Sequence, residues 1–271
     1  MAIQTSNWKP GWNGRRALVC LGWAVAGTSL WAQTPTDAPP APQLEIGVGA
    51  TSTPGWLGDN HQVVHGTAWV NAEYTTQYYG RLQASTGSLT MDPSVNWDPW
   101  VKGIASFGFI LGYHGDTSIG EGPSPQVSGS TGGLDGGIQI VVSILGAPLF
   151  GQIRKAFSGD QGWIGVVGSY LPVHPTKNLT VAFVPTARWL DKRQSQLCFD
   201  PPASQGGPAP YSAQSGFQDV ALEGVVDWQF TERFHWVTCV SHRWLAGAAR
   251  RTPLTLSGNQ QGYSSGVSIH F

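Results

Sequence analysis

Gly262-Tyr263-Ser264-Ser265-Gly266-Val267-Ser268-Ile269-His270-Phe271 is the stretch whose reading decides the fold. Tyr263, Ser265, Val267, Ile269 and Phe271 share one parity, and Gly262, Ser264, Gly266, Ser268 and His270 share the other. This alternation describes a strand with one mostly apolar face ending in an aromatic residue, opposed by small and polar groups. A strand of a soluble sandwich alternates as well, so the rest of the chain must decide. Charged residues are only 11% of the sequence, against about 25% in a typical soluble domain. Glycine and tryptophan are plentiful, and no segment beyond the amino terminus approaches the ~20 apolar residues of a spanning helix. Low charge without a long apolar run suits a barrel in which every second residue meets lipid, built from repeated segments of ~10 alternating residues. The expected fold is all-β, an antiparallel transmembrane β-barrel over residues 44–271.

Residues 1–32 read as a secretory signal. Arg15-Arg16 ends a basic region, Ala17 to Trp31 is the apolar core, and cleavage is expected after Ala32, with Ala26 as the alternative. Arg15-Arg16 also fits a twin-arginine signal, but that route carries folded cargo, and a barrel crosses unfolded. Residues 33–43 form a Pro-rich periplasmic tail. Two cysteines outside the signal, Cys198 and Cys239, can pair in an oxidising periplasm if the fold brings them together. Net charge near zero gives no reason to expect nucleic acid as a partner.

Eleven alternating runs follow one another from Leu44 to Phe271. Bacterial single-chain barrels use even numbers. Ser85-Thr86-Gly87 is turn-like and sits inside the long run 78–91, so splitting that run gives about 12 strands. Ten is the fallback, with 78–91 as a loop packed on the rim. Counting back from Phe271 in the periplasm, the turns at 231–233, 173–178 and 146–148 fall on one side. The long loops 246–259, 191–215 and 116–130 fall on the other, as expected of short periplasmic turns and long outer loops. A further periplasmic turn is expected at 93–99. Trp163, Trp189, Trp244 and Tyr263 then mark the outer interface, and Trp100, Trp228, Phe230, Phe234, Trp236 and Phe271 the periplasmic one.

The parity that faces away from lipid carries Glu45, Glu73, Arg81, Lys102, Asp135, Arg154, Arg188, Asp219, Glu223, Asp227 and Arg243. Charges of both signs are expected to pair across a narrow lumen, because an unpaired buried charge is costly. The alternative is a water-filled pore whose selectivity they set. His235 and His270 share the inner parity. A Ser–His hydrolase pair needs both side chains on one face, and Ser241 and His242, being adjacent in a strand, point to opposite faces. Ser268 and His270 share a face but lie at the periplasmic end. No catalytic, cofactor-binding or metal-ligand pattern is present in the sequence. If the closing strand has this facing, Asp at position 267 should impair assembly far more than Asp at 268 or 266.

The motifs also resemble a family. Gly47-Val48-Gly49 followed by Pro54-Gly55-Trp56-Leu57-Gly58-Asp59 is similar to the opening strand and loop of the MipA/OmpV family of outer-membrane proteins. Asp219-Val220-Ala221-Leu222, continuing through Trp228-Gln229-Phe230-Thr231-Glu232-Arg233-Phe234, resembles its penultimate hairpin. Trp56 stands where that family has Tyr, and Asp59 where it has Ser. The ending from Gly262 to Phe271 is similar too. A final strand with Tyr263, Val267, Ile269 and Phe271 on one face looks like the signal read by the barrel-assembly machinery. The resemblance implies a non-enzymatic barrel in the Gram-negative outer membrane, without a cofactor. For the family's best-known member it implies a scaffold for a lytic transglycosylase and a peptidoglycan synthase. Two other readings stay open: a small-solute channel, and a surface adhesin or receptor acting through loops 116–130 and 191–215.

Overall fold

The computed structural model describes residues 42–271 apart from 56, 77–78, 90, 103, 115–132, 145–146, 158–161 and 201–210. The signal segment 1–32, nearly all of the Pro-rich tail and the loop 116–130 lie outside the described residues. The strands are β1 (Gln43–Pro54), β2 (Gln62–Thr76), β3 (Gly80–Ser85), β4 (Ser94–Lys102), β5 (Ala105–His114), β6 (Gly133–Ile144) and β7 (Ala147–Ala156). They continue as β8 (Trp163–Ser169), β9 (Leu171–Thr176), β10 (Leu179–Leu190), β11 (Gly216–Gln229), β12 (Phe234–Leu245) and β13 (Asn259–His270). Two short helices, α1 (Lys192–Phe199) and α2 (Gly247–Arg251), lie in the outer loops.

Apart from β8 and β9, the strands pair with their sequence neighbours, β10 pairs with β11, and β13 pairs with β1, so the sheet closes on itself as an antiparallel barrel of 12 strands. β8 and β9 both pair with β10 and are two halves of one crossing, broken where Ser169 and Tyr170 turn inward in succession. Closure of β13 on β1 and of β10 on β11 joins the wall into one ring of paired strands, the arrangement that hydrocarbon favours. Outward positions are apolar: Leu134, Ile138, Ile140 and Ile144 on β6, and Val220, Leu222, Val226 and Trp228 on β11, are exposed. The intervening Asp135, Gln139, Ser143, Asp219, Glu223 and Asp227 are buried. Trp228 and Trp236 pack on each other, as do Phe230 and Phe234, at the end where the connections are short. By the rule of loop lengths that end is the periplasmic one.

The even strand number agrees with the sequence reading, but the twelfth strand is elsewhere. The run 78–91 does not split into two strands; only Gly80–Ser85 is a strand, and Thr86 to Pro93 is an outer loop. The missing strand is β4, inside the segment expected as a periplasmic turn at 93–99. Asp98-Pro99 reads as a turn, yet the register of β4 against β5 shifts between Trp97 and Trp100, and that bulge accommodates the proline within the strand. Similarly, β9 runs on to Thr176, so the turn expected at 173–178 shrinks to 177–178. The loop 191–215 contains α1, whose Asp191 caps it by accepting from the Gln194 backbone N–H at 2.8 Å. Gln218 ties the outer helices to the wall, donating to Ser195 Oγ at 3.0 Å and accepting from Ala249 N at 3.0 Å.

Cys198 and Cys239 are both free thiols. Cys198 sits in α1 at the outer end and Cys239 in the middle of β12 facing inward, so no bridge joins them. Burial pushes the Cys198 thiol up to about 11, which leaves little thiolate at neutral pH. Iodoacetamide at pH 7.5 is expected to label neither cysteine in the folded barrel and both after heat denaturation. Rapid labelling of Cys198 in the folded state would show that the outer cap opens freely.

Candidate functional site

The lumen is the site, and the loop from Thr86 to Pro93 organises it. The loop turns sharply inward at Gly87, whose φ of 87° is left-handed. A Cβ there would meet Met91 O at 2.5 Å, so a side chain is excluded on both counts. Ser88 N donates to Met91 O at 3.0 Å, Gly87 N to Ser85 Oγ at 3.0 Å, and Val70 N to Thr86 Oγ1 at 3.2 Å. These bonds satisfy the backbone of a compact knot. Its side chains then cross the barrel. Ser88 Oγ donates to Glu223 Oε2 on β11 at 3.1 Å. Leu89 packs against Tyr170, Ala182, Val184, Val225, Val237 and Cys239. Met91 joins a second apolar cluster with Ile110, Val141, Phe150, Ile164 and Val166.

Asp92 is the electrostatic pin. It pairs with Arg154 at 2.9 Å and with Arg188 at 3.7 Å, on strands β7 and β10. Arg154 also meets Asp135 at 3.4 Å, and Arg243 meets Asp219 at 3.8 Å. Acids and arginines therefore alternate around the outer half of the lumen. Burial opposes ionisation of Asp92, but the neighbouring Arg188 and Arg154 outweigh it and lower its carboxyl to about 2.

A second group lies on β2 to β6. Arg81 Nε donates to Asp98 Oδ2 at 3.2 Å, and Asp98 Oδ1 accepts from Gln139 at 2.7 Å. Glu73 accepts from Gln83 at 3.1 Å and from Thr75 at 3.3 Å. A third crosses the periplasmic mouth. His235 Nδ1 is 2.8 Å from Asp227, its ring stacks on His270 with centroids 3.9 Å apart, and His270 Nε2 is 3.8 Å from Glu45. Glu45 also accepts from Trp69 Nε1 at 3.0 Å and from Asn71 at 3.1 Å.

Of the charged residues that the sequence assigns to the inner parity, Lys102 departs from that placement. It is exposed at the periplasmic end and pairs with Ala105, on the parity of the outward Phe109 and Leu111. Reading 100–113 as one strand carried parity across a turn at 103–104, where it resets. Sequence reasoning missed Asp92 and Asp98 altogether, because both lie in or beside the segment read as a turn. Alternation of Val95 and Trp97 with Asn96 and Asp98 was the available signal. Ser241 points inward, whereas His242 lies outside against Trp244, 4.4 Å between ring centroids. Among the described residues no three of His, Cys, Asp and Glu converge as a metal site.

Comparison with known proteins adds a family and a set of folds. A family model described as MltA-interacting protein MipA matches residues 46–271. No curated protein matches the sequence. Among solved structures the chain is similar to the NanC porin, at 10% identity and TM-score 0.45, over 83% of this chain and 98% of that one. It is also similar to OmpT of Vibrio cholerae, at 8% identity and TM-score 0.38, over 86% of this chain and 99% of that one. The toluene transporter TbuX of Ralstonia pickettii matches at 8% identity and TM-score 0.39, over 86% of this chain and 90% of that one.

Proposed function

The chain belongs to the family of the MltA-interacting protein MipA, and from that premise we propose that it is a plugged outer-membrane barrel working as an anchor for periplasmic cell-wall enzymes. One observation carries the proposal: the loop 86–93 crosses the lumen and is held on the far wall by Asp92 and Ser88. A barrel filled this way leaves its rims as the surface for protein partners. The family is named for interaction with MltA, a lytic transglycosylase, which gives the class of partner, and a peptidoglycan synthase is the second client that the sequence resemblance suggests. An export signal over residues 1–32 and recognition by the assembly machinery through Tyr263, Val267, Ile269 and Phe271 belong to the same proposal. The periplasmic rim presents exposed Lys102, Lys177 and Arg233, basic groups suited to an acidic enzyme surface.

Purified protein in mild detergent is expected to retain a lytic transglycosylase in a pull-down. Joint reversal of Lys102→Glu and Lys177→Glu should weaken capture about tenfold, while leaving heat-modifiable gel migration unchanged. Failure of the unmodified barrel to retain either a lytic transglycosylase or a synthase would overturn the anchoring role. The second reading is a small-solute channel, favoured by a cavity of about 280 Å³ left between the loop and the wall. Steady conductance of the unmodified barrel in planar bilayers would favour it.

A further inference from the structure

The cavity beside the inward loop has a composition of its own. Thr51, Thr53, Thr67, Thr86, Ser88 and Ser264 bring hydroxyls to it, and Trp69 and Leu89 bring apolar surface. At about 280 Å³ it is near the lower end of ligand pockets, roughly 300–1,000 Å³, and so suits a small ligand. Thr53 and His65 are near the outer ends of β1 and β2, and Trp69 is deeper, so the cavity runs inward from the extracellular side.

Trp69 is built in as a platform. A Cβ at Gly47 would fall 2.0 Å from its Cε2, and one at Gly266 would fall 2.6 Å from its Cη2. The indole therefore lies along the wall in room cleared by two glycines on the neighbouring strands. Its Nε1–H is fixed to Glu45, so the ring contributes a face to the cavity and keeps its donor for the wall. The nearby carboxylates are engaged elsewhere: Glu45 takes Trp69 and Asn71, and Glu223 takes Ser88. The described lining is then the half-buried Trp69 ring with Leu89, Val237 and Cys239, set among neutral hydroxyls, and His65 lies near the mouth.

We propose that this cavity binds a small neutral polyhydroxylated ring, a mono- or disaccharide, stacked on Trp69 and hydrogen-bonded by Thr51, Thr67, Ser88 and Ser264. The C–H face of a pyranose is apolar and slightly positive at hydrogen, complementary to the negative face of an indole. Its hydroxyls both donate and accept, as do those of Thr and Ser. Among the described lining residues there is no Lys or Arg to hold an anion, and a hydrocarbon would strand the hydroxyls. The site opens outward, so it is independent of any enzyme docking on the periplasmic rim.

Titration calorimetry of the folded barrel in detergent tests this, with D-glucose, cellobiose and N-acetylglucosamine as probes and sodium gluconate and benzyl alcohol as controls. Saturable binding of at least one sugar is expected, with gluconate and benzyl alcohol weaker. Trp69→Ala should weaken binding at least about tenfold, and Thr67→Val by roughly threefold. Because Trp69 also holds Glu45, Thr67→Phe serves as the second variant; it fills the cavity, leaves that bond in place and should abolish binding. Absence of saturable sugar binding by the unmodified barrel, tighter binding of either control, or undiminished binding by Thr67→Phe would overturn the proposal.

Discussion

Replacing residues 87–92 by a short Gly-Ser linker is expected to turn a silent barrel into one with persistent open-channel steps in planar bilayers. Asp92→Ala should give an intermediate result, brief openings on a mostly closed baseline. The reason lies in the two kinds of contact that hold the loop. Removing one partner from a buried ion pair costs about 3–5 kcal/mol, because the remaining charge is left uncompensated. In Asp92→Ala, Arg154 keeps Asp135 and Arg188 keeps the field of Asp219, so the loss falls at the low end of that range. Leu89 and Met91 still hold the loop through their apolar clusters, so the loop visits the open state without settling there. The linker removes both kinds of contact. Acid gives an independent handle. The Asp92 carboxyl is held at about 2, below its ordinary 3.8, so its contribution is fully present above pH ~4 and is lost as pH falls toward 2. Loop opening due to this group should therefore be flat between pH 5 and 8 and rise only below about pH 4. Equal conductance of the unmodified and linker barrels would show that the loop does not gate the lumen.

The closing strand carries the second large effect. Val267 is 49% exposed and paired with Val48 and Trp236 on the lipid face. Val267→Asp is expected to deplete the protein from the outer membrane, with a folding cost of up to about 2 kcal/mol set by depth in the hydrocarbon. Ser264→Asp, on the cavity side of the same strand, should accumulate normally because its carboxylate can be hydrated. The alternation alone makes Gly266 and Ser268 equally good inner controls, and the packing corrects this. A Cβ at Gly266 would fall 2.3 Å from Val48 O and 2.6 Å from the Trp69 ring, so Gly266→Asp should fail on steric grounds. Ser268 is buried opposite His235, between the carboxylates Asp227 and Glu45 that already flank the two imidazoles. A third carboxylate there adds like charge. Quantitative immunoblots of outer-membrane fractions separate the four variants. Equal abundance of the 264 and 267 variants would invert the facing of this strand and of the strands paired with it.

Barrel class and strand parity were legible from residues 44–271 because each is a local property. A two-residue period repeats along each strand, and polar or apolar character alone decides which face meets lipid. That is why Asp135, Gln139, Arg154, Glu223 and Asp227 could be assigned to the interior one strand at a time. The same logic failed wherever the period was interrupted. Lys102 was carried across the turn at 103–104 with its parity unreset, and β4 was lost because a bulge at Asp98-Pro99 imitates a turn.

The sequence by itself determined a closed antiparallel barrel with an even number of strands, an apolar outer belt and a charged interior. Only the tertiary structure decided what fills that interior. The stretch after Ser85 reads locally as a turn and a short strand, or as a loop on the rim, and nothing local says that it folds inward. Its direction follows from partners far away in sequence: Glu223 for Ser88, Arg154 and Arg188 for Asp92, and two apolar clusters for Leu89 and Met91. Those partners converge only once β7, β10 and β11 have closed the far wall. Periodicity records which way a residue faces, but not what it will face.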